Sequence, residues 1–325
     1  MCTANLVRNT SMKSTFAGLG LIVLSALPVL AQVPRAPAAK SAAQAPLERM
    51  FPSAQEAAQA LVDAAAQNDT AAMLKLFGAR GTDIVQSGDA AEDAASRAEF
   101  TRRAKEKLEV RIEPSNPGRA TVITGADGWP FPVPLMRTKS GQWHFDAARG
   151  RTEILARRIG RNELVAIDVV RGYVEAQLEF SAHDRSADGL LKYAQKLVSA
   201  PGKKDGLYTE GETNNLVSKA FADAAEGSQS PGKRVPYHGY YFRILTAQGP
   251  EATGGAHDYI VKGQMIGGFA LIGWPAEYGV SGIKTFLVNH AGIVYEKDLG
   301  AGTAALAHEI RSFNPGKGWE AIRGE

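Results

Sequence analysis

The run Asn162–His183, NELVAIDVVRGYVEAQLEFSAH, constrains this chain more than any other stretch. Leu164, Ile167, Val170, Val174 and Leu178 step by three and four, while Val165, Val169, Tyr173 and Phe180 mark an adjoining stripe, so apolar residues cover well over half of a helix circumference. Such a helix needs cover on more than one side. It is expected to form a spine on which a following antiparallel sheet is laid, and to stand where a first domain ends and a second begins.

At the amino terminus, residues 1–31 carry basic Arg8 and Lys13, an apolar core from Phe16 to Leu30 and then Val29-Leu30-Ala31 before Gln32, the pattern of a signal peptide cleaved after Ala31. The core is short and interrupted by Pro28, which argues against a membrane span, with an uncleaved anchor as the competing reading. Met12-Lys13 offers an alternative start. The only cysteine, Cys2, falls in this segment, so no disulfide is expected in the remainder, and no lipid attachment at the cleavage point. The chain holds 37 basic and 34 acidic residues, and the segment removes two of the basic ones and no acidic one. A near-neutral remainder has no electrostatic reason to seek nucleic acid or an anionic membrane. A periplasmic or secreted location follows as the expectation.

Residues 32–49, QVPRAPAAKSAAQAPLER, are Ala/Pro-rich and read as a linker. A first domain is then expected over 50–150. Ser53 and Glu56 form a capping-box pattern ahead of a helix with Ala57, Leu61, Val62 and Ala65 inward; Asn68-Asp69 cap a second, ended by Gly78; Asp89–Lys107 has helix-forming composition. Four strand candidates follow, Leu108–Ile112, Arg119–Thr124, Phe131–Arg137 and Gln142–Ala147, separated by Pro/Gly/Asn turns. Helices followed by a bent meander predict an α+β cone. Trp129, Trp143 and Phe145 either line a pocket in it or fill it, and filling is the preferred reading. Asp146 reads as a turn or cap residue rather than an acid or base.

Residues 151–325 are expected to form the second domain. Residues 148–161 bridge into it as an amphipathic helix whose Arg151, Arg157, Arg158 and Arg161 form either an anion or partner patch or a solvated face paired with Glu153 and Glu163. Asp184-Arg185-Ser186-Ala187-Asp188-Gly189 resembles the opening half of a calcium loop, but Gln195 occupies the position of its bidentate glutamate, so a polar turn is expected and no metal. A helix is predicted over Asn214–Glu226 and a flexible exit over Gly227–Gly232. Strands are predicted over Gly239–Thr246, Asp258–Val261, Gly268–Pro275, Ile283–Asn289 and Ile293–Lys297, the last two as a hairpin. Thr303 is expected to cap a final helix, with Trp319 and Ile322 docking the end.

Several long blocks in order, RRIGRNELVAIDVVRGYVEAQLEF, YAQKLVSAPGKKDGLY, GYYFRILTAQG, GGFALIGWPAEYGVSGIKTFLVN and GIVYEKDLG, closely resemble the bacterial exported proteins grouped as domain of unknown function family 2950. That resemblance implies export and brings no activity with it. Residues 50–150, with paired short helices ending in LKLFG and a late QWHFDA strand, resemble the nuclear-transport-factor-2-like (NTF2-like), or cystatin-like, superfamily. The C-terminal half is similar to the globular part of type IV pilins and pseudopilins, through Ala176-Gln177, Tyr193-Ala194, Gly239-Tyr240-Tyr241-Phe242 and the final hairpin. The implied fold is α+β, a cone followed by a pilin-like helix on an antiparallel sheet.

No catalytic, cofactor or metal residues are assigned. His144, His183, His238, His257, His290 and His308 have no metal-ligand spacing, and Ser281 precedes a strand rather than the helix a nucleophile elbow requires. Trp274, Pro275, Tyr278 and His238 form either an aromatic platform or core packing. The leading expectation is a non-catalytic envelope binding or scaffold protein whose partner is an envelope protein or a small molecule. The alternatives are a small-molecule binder using the first domain's cone, and a hydrolase of envelope polymers in which His238 or His290 meets a buried carboxylate.

Overall fold

The computed structural model describes residues 48–88, 90–182, 191–225 and 235–323. The signal segment, the linker up to residue 47, His183, the Asp184–Gly189 turn and the Gly227–Gly232 exit lie outside them. The architecture is α+β, with two apolar clusters threaded by one helix.

Ser53 Oγ accepts from Glu56 N at 3.1 Å and caps α1 (Ala54–Ala66). The capping box is not reciprocal, because Glu56 Oε1 takes the Ser53 hydroxyl at 2.9 Å instead of the amide. Asp69 caps α2 (Thr70–Phe77), which stops at Gly78 with φ 66°. A single turn, α3 (Thr82–Val85), leads into α4 (Ala90–Glu106). Strands β1 (Leu108–Glu113) and β2 (Asn116–Thr124) pair with Val110 opposite Val122. The sequence predicts one further strand across Phe131–Arg137. Pro132 and Pro134 supply no amide to a ladder, so within that stretch only β4 (Leu135–Arg137) forms, and a short β3 (Trp129–Pro130) lies just before it. With β5 (Trp143–Phe145) the sheet order is β1-β2-β4-β5, β3 lying on β2. Leu61, Leu76, Phe77, Val122, Leu135 and Phe145 meet at 1% exposure or less.

Asp146 Oδ1 accepts from Arg149 N at 3.0 Å and caps α5 (Ala147–Ser181), a helix of 35 residues. At about 1.5 Å per residue it is about 52 Å long. The predicted division into a basic bridge and a separate spine starting at Asn162 is not observed. No proline interrupts Ile159-Gly160-Arg161-Asn162, and a glycine there costs only about 1 kcal/mol. The first turn belongs to the first cluster: Ala147 is buried, and a Cβ on Gly150 would fall 2.6 Å from Val133 Cγ2. From Ala166 onward the helix belongs to the second cluster.

That cluster begins with β6 (Lys196–Val198) and β7 (Gly206–Tyr208), which pair parallel. The helix predicted over Asn214–Glu226 shrinks to α6 (Lys219–Asp223). Asn215 ties its side chain to Thr209 N and O, and Leu216 N bonds Leu207 O at 3.0 Å, so the preceding residues are held beside β7 and Ser218 caps what remains. Strand β8 (Tyr240–Leu245) comes next, followed by two small pairs, β9 (Ala247–Gln248) with β10 (His257–Asp258) and β11 (Ile260–Val261) with β12 (Gln264–Met265). Then come β13 (Ala270–Pro275), β14 (Lys284–Asn289), β15 (Tyr295–Asp298), α7 (Thr303–Glu309) and β16 (Glu320–Ala321), in a sheet ordered β16-β15-β14-β13-β8. Gly302, not Thr303, occupies the cap of α7; the Thr303 hydroxyl donates to Gly300 O at 2.6 Å. Trp319 and Ile322 dock as expected.

The helix lies on β13 and β14 through Ala166, Val170, Tyr173, Gln177 and Phe180. Leu164 and Leu178, expected on the buried stripe, are 66% and 48% exposed. The true inward row contains a glutamine. Gln177 Nε2 donates to Ala194 O and Tyr173 Oη, and its Oε1 accepts from Ala194 N, all at 2.8 Å. A buried amide so fully bonded stabilises the position it fills, and a count of apolar residues cannot detect it. Asn162 and Glu163 fasten the helix to the β13–β14 connection. Asn162 Nδ2 donates to Ser281 O at 2.9 Å, and Glu163 Oε1 accepts from Ile283 N and Lys284 N.

Candidate functional site

A groove of about 370 Å³ opens where α5 leaves the first cluster. One wall is β2, whose Ala120 and Val122 face the core while the alternate residues Arg119 and Thr121 face the groove. The second wall is the proline-divided link, presenting Pro130, Phe131, Pro132 and Pro134. The third is α5, where Arg149, Glu153 and Arg157 recur at four-residue spacing and so share one side of the helix. Asp146 sets the start of that row by capping the helix, and the fit of Gly150 against Val133 sets its distance from the prolines.

The charges are unequal. Three guanidinium groups face one carboxylate, and that carboxylate is taken: Glu153 Oε1 accepts from Arg157 Nε at 2.8 Å. Arg157 also donates to Pro130 O at 2.7 Å, which joins helix to link. Trp129 stands at the edge, 37% exposed, with the guanidinium carbons of Arg103 and Arg157 at 5.7 and 5.5 Å from its ring. Arg103 is itself bonded to Asp127, and this bond holds the Asp127 carboxyl below its ordinary range. Arg119 and Arg149 are less committed. Each reaches a carboxylate only at 3.5 Å, Glu113 and Asp146 respectively, Arg149 Nη1 also donates to Met136 Sδ at 3.1 Å, and the two side chains are 43% and 56% exposed. Two guanidinium groups facing an apolar wall suit an anionic, partly apolar ligand.

A second hollow of about 230 Å³, between the end of α1, α3 and the start of α4, lacks that surplus. Its Arg97 is 8% exposed and bonded to Asn68 Oδ1 at 2.6 Å and Val85 O at 2.7 Å, while Asp93 accepts from Ser87 N. Its polar groups hold the fold together.

Of the basic residues singled out on the bridge, Arg157 faces the groove. Arg151 approaches Asp83 at 3.8 Å, while Arg158 and Arg161 are exposed and make no ion pair among the described residues. The expected pairing with Glu163 is replaced by that residue's bonds to the β13–β14 connection. Sequence reasoning missed Arg119 and Arg149. The alternating prolines of Trp129–Pro134 were the available signal that this stretch forms a wall rather than a strand.

Of the three aromatic residues expected to fill the first domain, Trp143 and Phe145 do so and Trp129 does not, standing exposed at the groove's edge. Trp143 and Phe145 are 7% and 0% exposed, and Phe145 meets Phe77 ring to ring at 5.3 Å. Trp274 is core, beside His308 at 5.4 Å, and Tyr278 is half-buried, donating to Asp298 at 3.3 Å. The Ser281 hydroxyl accepts from Glu277 N and donates to Glu277 O, which makes it a turn former. Among the described residues neither His238 nor His290 is paired with a carboxylate: His238 packs on Tyr237, and His290 packs on Tyr259 and Phe269. His144 Nδ1 lies 3.1 Å from Glu48 Oε1 but out of line for a hydrogen bond. Gln195 donates to Gly263 O at 2.9 Å. Among the described residues no helix is long and apolar enough to cross a membrane, and no three His, Cys, Asp or Glu side chains are grouped to hold a metal.

Comparison with curated proteins and with solved structures finds no match. Residues 48–322, which carry both apolar clusters and the groove, match the family described as Protein of unknown function (DUF2950), and the chain belongs to that family.

Proposed function

We propose that this is an exported, non-catalytic binding protein of the cell envelope that holds an anionic ligand in the arginine-lined groove. The observation that carries the reading is that Arg119 and Arg149, each paired with a carboxylate only at 3.5 Å, line the groove beside an apolar wall. In this proposal residues 1–31 are a cleaved signal peptide and 32–49 a linker. Residues 50–150 form an NTF2-like module whose binding surface is the outside of its sheet rather than the filled cone, and residues 151–325 form a pilin-like scaffold. A small-molecule site inside the cone is disfavoured by the packing of Phe77, Trp143 and Phe145, and envelope hydrolysis by the surroundings of His238 and His290.

The test uses residues 32–325 and fluorescein-labelled hexaglutamate, followed by anisotropy. Saturable binding is expected that weakens as salt is raised and that falls at least about tenfold in the double variant Arg119→Ala/Arg149→Ala, with hexalysine not bound. Both side chains are exposed, so the variant is expected to fold, which circular dichroism checks. Absence of saturable binding, or equal affinity in the folded double variant, refutes the proposal.

A further inference from the structure

We infer that the ligand is an acidic polypeptide segment whose carboxylates lie along Arg119, Arg149 and Arg157 and whose next apolar side chain sits beyond Arg157, on Gly160 and Leu164. This rests on the groove being an anion site and narrows what that anion is.

The balance of donors and acceptors makes the first selection. The prolines offer no amide, Pro130 O is taken by Arg157, Pro134 O by Asp146 N, and Phe131 N by Val122 O. The one carboxylate is also taken. A sugar, whose hydroxyls donate as well as accept, finds arginine donors and few acceptors. A ligand rich in acceptors and otherwise apolar fits.

The shape of α5 makes the second. The row Arg149, Glu153, Arg157 continues through Arg161 to Leu164 at steps of four and three, and so runs out of the groove along one exposed side of the helix. A Cβ placed on Gly160 would meet nothing within 4 Å, and Leu164 is 66% exposed, so an apolar shelf lies directly past the arginines. A bare phosphate chain leaves Phe131, the prolines and this shelf uncovered, whereas a polypeptide covers them.

Spacing then defines the segment. Arg149 and Arg157 are about 12 Å apart along the axis and Arg157 and Leu164 about 10 Å, at about 1.5 Å per residue. An extended chain covers either span in three to four residues at about 3.4 Å each. Carboxylates three to four residues apart, with an apolar residue a further three to four along, match the surface.

Two labelled decapeptides test this on residues 32–325: LSSEEEESSL, which meets the spacing in either chain direction, and SSSEEEESSS. The leucine peptide is expected to bind about tenfold tighter, the effect of partly burying one leucine. Leu164→Ser, a change at an exposed position, is expected to abolish that preference and leave the serine peptide's affinity unchanged. Equal binding of the two peptides, or a preference that survives Leu164→Ser, overturns the polypeptide assignment while leaving the anion site standing. Displacement of the leucine peptide by tripolyphosphate at concentrations below that peptide's own Kd overturns it in favour of a phosphate ligand. If Arg119→Ala/Arg149→Ala leaves the serine peptide's affinity unchanged, the groove reading itself falls.

Discussion

Three glycines on α5 offer a direct test of its continuity and of the contact that sets one wall of the groove. Gly160 and Gly172 have open surroundings, with nothing within 4 Å of an added Cβ, so alanine there gains helix propensity and meets no obstacle. Each replacement is expected to stabilise the protein by about 0.5–1 kcal/mol. At Gly150 the same Cβ would stand 2.6, 2.9 and 3.0 Å from Val133 Cγ2, Cγ1 and Cβ, and Val133 is fully buried. Overpacking of this kind costs about 1–3 kcal/mol and outweighs a propensity gain of about 1 kcal/mol. Gly150→Ala is therefore expected to be destabilising by up to about 2 kcal/mol. The valine's two methyl groups are worth about 1.6 kcal/mol, so Val133→Ala alone also destabilises. The double variant is expected to be more stable than the sum of its parts by about 1 kcal/mol or more, because the methyls that obstruct residue 150 are gone. Urea unfolding followed by helical circular dichroism reads all five proteins, with the m-value checking that the denatured state is unchanged. A neutral or destabilising Gly160→Ala would mean that the helix is not continuous between the two clusters. A stabilising Gly150→Ala would mean that the helix does not sit against Val133, and the placement of Arg149 would fail with it.

Two further outcomes follow from buried groups. Gln177→Leu strands Ala194 N and Ala194 O away from water and removes the bond that the Tyr173 hydroxyl accepts; a loss of about 2–4 kcal/mol is expected, with amide exchange at residues 193–195 accelerating before the rest, and an unchanged exchange pattern would contradict the clamp. Burial, and then the nearby His257, hold His290 below the ordinary histidine range, so the unfolded chain takes up the proton first; stability is expected to fall as pH drops below about 6.5, and His290→Gln to flatten that fall in a melting series from pH 7.5 to 5.5, whereas an unaltered slope would assign the pH dependence elsewhere.

Caps, turns and the larger strands were legible in the sequence because each depends on a few adjacent residues. Ser53, Asp69 and Asp146 cap the helices they precede, Gly78 ends α2, and β8, β13 and β14 fall within their predicted runs. Readings that depended on distant partners fared worse. Leu164 and Leu178 look like core on a wheel of apolar residues, yet the sheet covers the side carrying Ala166 and Gln177, where Gln177 is held by its bonds to the distant Ala194. The helix expected from Leu216, Val217, Ala220 and Phe221 lost its first half to Asn215, whose bonds to Thr209 no local pattern contains. The tight turn Tyr237–Tyr240 places His238 at φ 46°, a conformation usually left to Asn or Gly, and only the mutual bonds of Tyr237 and Tyr240 disclose it. The groove was hidden for the same reason: Arg119 on a strand and Arg149 on a helix are 30 residues apart, and neither belongs to the basic cluster that draws the eye.

The middle of α5 explains why binding residues collect there. Between Gly150 and Ala166 only Ile159 is buried, so this stretch contributes little to either cluster, and its helical form is maintained by the packed turns at both ends. Side chains on such a segment can be chosen for a ligand at almost no cost in packing, which is where Arg157, Arg161 and Leu164 stand. The same stretch is anchored near its far end, at Asn162 and Glu163, to the β13–β14 connection, and at its start, at Gly150, to Val133. A ligand lying from Arg149 to Leu164 therefore spans the whole interval between the two anchors, and its grip acts on the one element that the two clusters share.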